Sequence, residues 1–166
     1  AITAMRTQPG DGDVQANACR MLGELAKTEE HRAPIVAAGA IPLSVTAMRA
    51  HPGHNGLQAN ACGMLGELAL SEEHRAPIVA AGAIPPLVAL LAAGAESKAA
   101  ANAAAALGNL SYSSEAACIA IAEAGAVPPL VALLSAGGDS KAVTEAAIAI
   151  ANLAYQSDTT IAAIVE

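Results

Sequence analysis

The sequence predicts an all-α solenoid built from tandem units about 43 residues long, and three observations carry that prediction. Glu29 to Pro42 reads EEHRAPIVAAGAIP and recurs unchanged at Glu72 to Pro85. A weaker copy runs from Glu115 to Pro128, where Ala124-Gly125-Ala126-Val127-Pro128 stands 43 residues after Ala81-Gly82-Ala83-Ile84-Pro85. Each unit also divides into three apolar segments separated by Gly, Pro and acidic or Ser-rich punctuation, which spells three helices. A unit of this size cannot bury its apolar face alone and must stack on its neighbours.

The first helix of a unit is short, near Glu29 to Ala38. Thr28 and Ser71 stand where a side chain caps the free amides, and the Glu pair favours the positive end of the helix. Pro34 and Pro77 lie beyond the first turn, so the sequence predicts one turn followed by a helix restarting at the proline. Gly39, Gly82 and Gly125 come next, each followed within three residues by Pro42, Pro85 or Pro128. Glycine takes the left-handed conformation that ends a helix, and proline suits the first turn of the next. The second helix then runs to about Ala50, Ala93 or Ser135, where His51-Pro52-Gly53-His54, Ala93-Gly94-Ala95 and Ala136-Gly137-Gly138-Asp139 signal turns.

The third helix is the longest, for instance Gly56 to Leu70. Its Leu57, Ala61, Met64, Leu65 and Leu68 fall at spacings of three and four and make a buried face. The interval from Gly66 to Gly108 is 42 while Gly108 to Gly125 is 17, one more than Gly66 to Gly82, so one residue moves between loops. Surface connections tolerate such shifts. Met5 stands 43 residues before Met48, which makes residues 1 to 7 the tail of a second helix. Tyr155 matches Tyr112 and Glu166 matches Glu123. The whole of 1–166 reads as one solenoid: a partial repeat at 1–28 holding second and third helices, repeats at 29–71, 72–114 and 115–157, and the first helix of a truncated repeat at 158–166. Both ends fall inside repeats without polar caps, which predicts a piece of a longer array or one covered by neighbouring subunits.

Composition narrows the function. More than half of the residues are hydrophobic, alanine is prominent, and Trp and Phe are absent, so helices pack closely through small side chains and aromatic stacking platforms are lacking. A formal charge of -7 disfavours nucleic acid and anionic membranes as partners. No run reaches the ~18 uncharged apolar residues of a membrane-spanning helix, so direct membrane insertion is not expected. Cys19, Cys62 and Cys118 sit in apolar surroundings and read as buried free thiols, which predicts a reducing, intracellular setting, the cytoplasm.

Other motifs carry little chemistry. His51 and His54 have no third ligand at a metal spacing and read as a polar loop. His31-Arg32 and His74-Arg75 recur with the repeat and read as surface. Asp11-Gly12-Asp13 is punctuation before a helix rather than a calcium loop. Asn109-Leu110-Ser111 matches a glycosylation acceptor but falls within a helix. Nothing resembles a nucleophile elbow, a phosphate-binding loop or a paired-carboxylate site, so neither catalysis nor a cofactor or metal is expected.

Three helices in about 43 residues, a Gly turn leading into proline, and a third helix ending Leu107-Gly108-Asn109-Leu110-Ser111 resemble the armadillo repeat family over the whole chain. Ala124 to Leu134 is similar to that family's turn and second helix, and Ala105 to Leu110 to its third. HEAT repeats are the nearest competitor, but they have two helices and usually lack the Gly-Pro punctuation. The resemblance implies a right-handed superhelix whose third helices line a concave groove, a fold used for protein interaction. In well-known members a third-helix asparagine hydrogen-bonds the backbone of an extended peptide, and a tryptophan one turn earlier packs between its side chains. An amide can do this because it offers both a donor and an acceptor to each peptide unit.

Carried onto this chain, the asparagine position is filled by Asn109 and Asn152 but by Glu24 and Glu67 in earlier repeats. The tryptophan position holds Arg20, Gly63, Ala105 and Ile148, which supply no aromatic wall. Two turns before the asparagine position come Asn17, Asn60, Asn102 and Glu145. The resemblance therefore implies a non-catalytic scaffold with a protein partner. Glu24, Glu67 and Glu145 would attract an extended basic segment, and Asn102, Asn109 and Asn152 would satisfy its backbone. Exposed polar positions of this kind are expected to matter to binding and within ~0.5 kcal/mol not to stability. The alternative is a structural subunit or spacer in a large assembly, contacting its neighbours by its ends and convex face.

Overall fold

The computed structural model describes residues 1–156, and eleven helices account for the regular structure among them. The first helices of the units are α3 (Glu29–Ala37), α6 (Glu72–Ala80) and α9 (Glu115–Glu123). The second helices are α1 (Ile2–Thr7), α4 (Ala40–Ala50), α7 (Ile84–Leu91) and α10 (Val127–Ser135). The third are α2 (Gly12–Ala26), α5 (Asn55–Ala69), α8 (Lys98–Ser111) and α11 (Lys141–Gln156). The truncated first helix expected at 158–166 lies outside the described residues.

Within each unit the first and second helices meet at 72°, 89° and 83° in chain order. The bend is set by the Gly turn. Gly82 and Gly125 sit at φ 74° and 77°, a conformation an L side chain resists. Around Gly82 the Gly82 N–H reaches the Val79 carbonyl at 2.9 Å and the Ala83 N–H reaches that of Ile78 at 3.4 Å. That pair of bonds is a Schellman motif, and Gly125 with Ala126 repeats it onto Ala122 and Ile121.

Three local expectations are corrected. The first helix does not split at its proline, since α3 and α6 run unbroken through Pro34 and Pro77. Pro34 leaves the Glu30 carbonyl without its helical donor, a loss tolerated because Glu30 is an exposed residue. Nor do Thr28 and Ser71 cap these helices. The Ser71 hydroxyl instead accepts from Arg32 Nη1 at 3.2 Å, whereas Ser114 does cap α9 through the Ala117 N–H. The second helix α7 also stops at Leu91, two residues short of the sequence boundary.

The core is one continuous strip. Leu57, Met64, Leu65, Leu68, Leu107 and Leu110 of the third helices are fully covered, as are Ile78, Leu87, Ile121 and Leu130 of the first and second. α2, α5, α8 and α11 pack side by side along their length. Glycine makes the approach close: a Cβ on Gly66 would stand 3.6 Å from the Ala106 Cα, and one on Gly108 3.6 Å from the Ala149 Cα. Both distances are ordinary contacts rather than clashes. Gly66→Ala and Gly108→Ala are therefore expected to raise stability by up to about 1 kcal/mol each through helix propensity, measured as urea midpoints.

Polar side chains tie the units together from the outer side. Arg6 Nη2 donates to the Ala38 carbonyl at 2.9 Å and Arg49 Nη2 to that of Gly82 at 2.8 Å, each one repeat ahead. The buried Gln15 and Gln58 donate to the carbonyls that end the preceding second helix, Met5 and Gln8 for the one, Met48 and His51 for the other. Asp11 and His54 cap α2 and α5 through the Val14 and Leu57 N–H groups, so the tempting acidic and histidine motifs are helix starts. No single helix among the described residues is long and apolar enough to cross a membrane.

The recurring His-Arg pair is not surface in its second copy. Arg75 is 8% exposed, donating from Nε to the Ala69 carbonyl at 3.0 Å and from Nη1 to the Tyr112 carbonyl at 2.7 Å, with its guanidinium 5.5 Å from the Tyr112 ring centre. His74 beside it is buried as well. In the next unit Cys118 takes the same place and donates to the Ser111 carbonyl at 3.3 Å. All three cysteines are free and buried. Burial pushes the Cys19 and Cys62 thiols up to about 12, so both stay protonated and unreactive at neutral pH.

Candidate functional site

The face made by the four third helices holds every residue singled out from the sequence. On it, four asparagines share one bonding pattern. The side-chain NH₂ of Asn60 donates to the Ala16 carbonyl at 3.0 Å, and that of Asn102 to the Ala59 carbonyl at 2.8 Å. Asn109 donates to Gly66 at 3.1 Å and Asn152 to Gly108 at 3.0 Å. Each thus reaches back one repeat to the backbone of the preceding third helix. Asn17, which stands on the first third helix, turns to its own helix and donates to the Asp13 carbonyl at 2.9 Å.

This ladder corrects the expectation that the asparagines are merely exposed. Asn60, Asn102, Asn109 and Asn152 are half-buried and join consecutive repeats. One amide hydrogen is engaged in each, which leaves a second hydrogen and the carbonyl oxygen to be satisfied; in Asn102 that oxygen lies 3.5 Å from Lys141 Nζ. The same groups therefore tie the scaffold together and present a donor and an acceptor to anything lying along it.

The charges are more mixed than the sequence suggests. A groove of about 320 Å³ between α2, α5, α8 and the start of α11 is lined by Arg20, Lys27, Lys98 and Lys141 as well as Glu24 and Glu67. Glu24 pairs with Lys27 at 2.7 Å. That hydrogen bond, with the charge of Lys27 and lesser ones of Arg20 and Lys98, holds the Glu24 carboxyl below its ordinary range, and the Glu24 partnership raises the Lys27 amine. Lys141 Nζ lies 3.5 Å from Asn102 Oδ1. Glu145 and Asn109 line the continuation of the groove towards α11, again beside Lys141.

Of the positions where the resemblance implies tryptophan, Arg20 is exposed, Gly63 faces the Asn102 amide, Ala105 is half-buried, and Ile148 is 48% exposed. Aromatic surface is present elsewhere. Tyr112 and Tyr155, 60% and 90% exposed, border a depression with Asn152 at the far rim. Their 43-residue spacing marked them as equivalent, but only the fold shows both rings turned out beside an asparagine. Among the described residues no cluster of three His, Cys, Asp or Glu side chains could hold a metal ion.

Residues 71–112 and 114–155 each match the family model described as the armadillo/beta-catenin-like repeat. The chain belongs to the armadillo repeat family. Its armadillo solenoid is similar to an engineered protein of known structure, at 33% identity and a TM-score of 0.86, over 99% of this chain and 66% of that one. This chain thus spans just under two thirds of that engineered protein's length. It is also similar to computationally designed armadillo repeat proteins for modular peptide recognition, at 26% identity and a TM-score of 0.85, covering 99% and 67% of the two chains. A third is a designed armadillo repeat protein in complex with the peptide (KR)4, at 25% identity and a TM-score of 0.82, again over 99% and 67%. No curated protein matches the chain. These armadillo structures confirm the right-handed, all-helical superhelix expected from the repeat.

Proposed function

We propose that this armadillo array is a protein-binding scaffold that holds an extended segment of a partner along the face of α2, α5, α8 and α11. The observation that carries the reading is the asparagine ladder. It sets amide groups, each with a second hydrogen and an oxygen beyond its inter-repeat bond, at repeated intervals along the third-helix face, matching the donor and acceptor of each peptide unit in an extended chain. A peptide held by a designed relative of the same fold supports it. The role is non-catalytic, since the groove supplies hydrogen bonds and charge rather than a nucleophile and base. Glu24, Glu67 and Glu145 do not by themselves select a basic segment, because four cations share their face.

The test is selection of linear peptides from a random display library on the whole chain, followed by binding to two variants. Ala105→Met adds uncharged bulk to the groove lining; Ala89→Met, on the exposed side of α7, leaves it open. Selected peptides are expected to bind Ala105→Met about tenfold or more weakly and Ala89→Met as they bind the parent. The opposite pattern would place recognition on the outer face and favour the structural-subunit reading.

A further inference from the structure

We infer that the partner segment held in this groove is acidic, a deepening that rests on the concave-face reading above. The basis is where the cations go. Of the eight Lys and Arg residues, Arg6, Arg32, Arg49 and Arg75 are tied to backbone carbonyls as straps between helices. The other four, Arg20, Lys27, Lys98 and Lys141, all line one groove. A chain with a formal charge of -7 has gathered its untethered positive charge on a single stretch of surface.

Pairing inside the groove does not cancel it. Lys27 is neutralised by Glu24 at 2.7 Å. Among the described residues Arg20 and Lys98 make no ion pair or side-chain hydrogen bond, and Lys141 has the 3.5 Å contact with Asn102. Glu67 in that groove and Glu145 in its continuation beside Lys141 are the carboxylates left to oppose these three cations. The local balance is positive where the whole chain is negative, so steering and pairing both favour carboxylates.

Spacing adds a sequence requirement. Lys98 and Lys141 stand at the first position of α8 and α11, on adjacent stacked helices. Packed helices lie roughly 8–10 Å apart, which an extended chain covers in about three residues at ~3.3 Å each. The segment therefore carries Asp or Glu at about every third residue. A nucleic acid strand fits less well, because its unbroken negative charge would meet Glu24, Glu67 and Glu145 and no aromatic platform lies among the cations.

The experiment uses three fluorescent probes of one length and background, with Glu, Lys or Gln at every third position, titrated by anisotropy at about 50 and 300 mM salt. The Glu probe is expected to bind about tenfold more tightly than the Gln probe at low salt. That advantage shrinks at high salt and disappears in Lys98→Glu/Lys141→Glu, whose two exposed changes leave the thermal melt in place. A single-stranded oligonucleotide should not compete. Preference for the Lys probe, a Glu advantage unmoved by the double variant, or tight oligonucleotide competition would overturn the acidic assignment. Binding of the Lys or Gln probe that is lost in Ala105→Met would do so while leaving the groove reading intact. Failure of all three probes alongside a failed peptide selection would overturn both.

Discussion

Arg75→Ala is expected to lower the free energy of unfolding by about 3 kcal/mol, and Arg32→Ala by only about 1 kcal/mol, although both sit in identical fourteen-residue stretches. Arg75 is buried and gives one charged hydrogen bond to the end of α5 and a second to the Tyr112 carbonyl that follows α8. Bonds from a charged donor contribute about 1.5–3 kcal/mol each, and truncation also strands two carbonyls and removes the packing of the side-chain stem on Tyr112. Arg32 makes the same first bond, to Ala26 at 2.8 Å, but its second goes to a serine hydroxyl at 3.2 Å in a half-buried setting. Urea unfolding followed by circular dichroism measures both. Equal losses would show that the bridge Arg75 makes from the end of α5 to the end of α8 does not hold the array together.

Asn109→Ala combined with Asn152→Ala is expected to cost about 2 kcal/mol of stability, at roughly 1 kcal/mol for each inter-repeat hydrogen bond, and to weaken the bound segment about tenfold. The two effects come from the two halves of one amide: a hydrogen held by the Gly66 or Gly108 carbonyl, and the second hydrogen and oxygen beyond that bond. Single substitutions are expected to couple, because Asn152 bonds the carbonyl of Gly108, the residue next to Asn109. A melt indistinguishable from the parent would mean the ladder is not formed in solution.

The difference between the two arginines also shows what local sequence can and cannot carry. The period, the left-handed Gly turn and the apolar stripe of Leu57, Met64, Leu65 and Leu68 are local patterns, and each element follows from them. What Asn109 or Arg75 bonds to is decided by residues 43 and 37 positions away, Gly66 in the repeat before Asn109 and Tyr112 at the far end of Arg75's own repeat, which no helix-length window contains. Identity of sequence hides this, since Arg32 and Arg75 look alike until their neighbours, Ser71 and Tyr112, are placed beside them. The substitution of Cys118 for arginine at the same strap position is hidden too, because a thiol and a guanidinium share only the ability to donate to a carbonyl. The charge of the groove is hidden for a related reason: Lys98 and Lys141 stand 43 residues apart in the sequence, and only the stacking of α8 and α11 brings both to the groove beside Asn102. Pro34 and Pro77 err in the opposite direction: the local rule against an interior proline yields where the orphaned carbonyl belongs to an exposed residue.

The central claim is that the third-helix face receives an extended partner segment. Its most direct test is a ¹H–¹⁵N titration of the whole chain with the tightest peptide from the selection, following the side-chain amide resonances of Asn60, Asn102, Asn109 and Asn152. The account predicts saturable shifts in those amides and in the backbone of α5, α8 and α11, with α4, α7 and α10 unmoved. Shifts gathered on α4, α7 and α10, with the asparagine amides still, would contradict it.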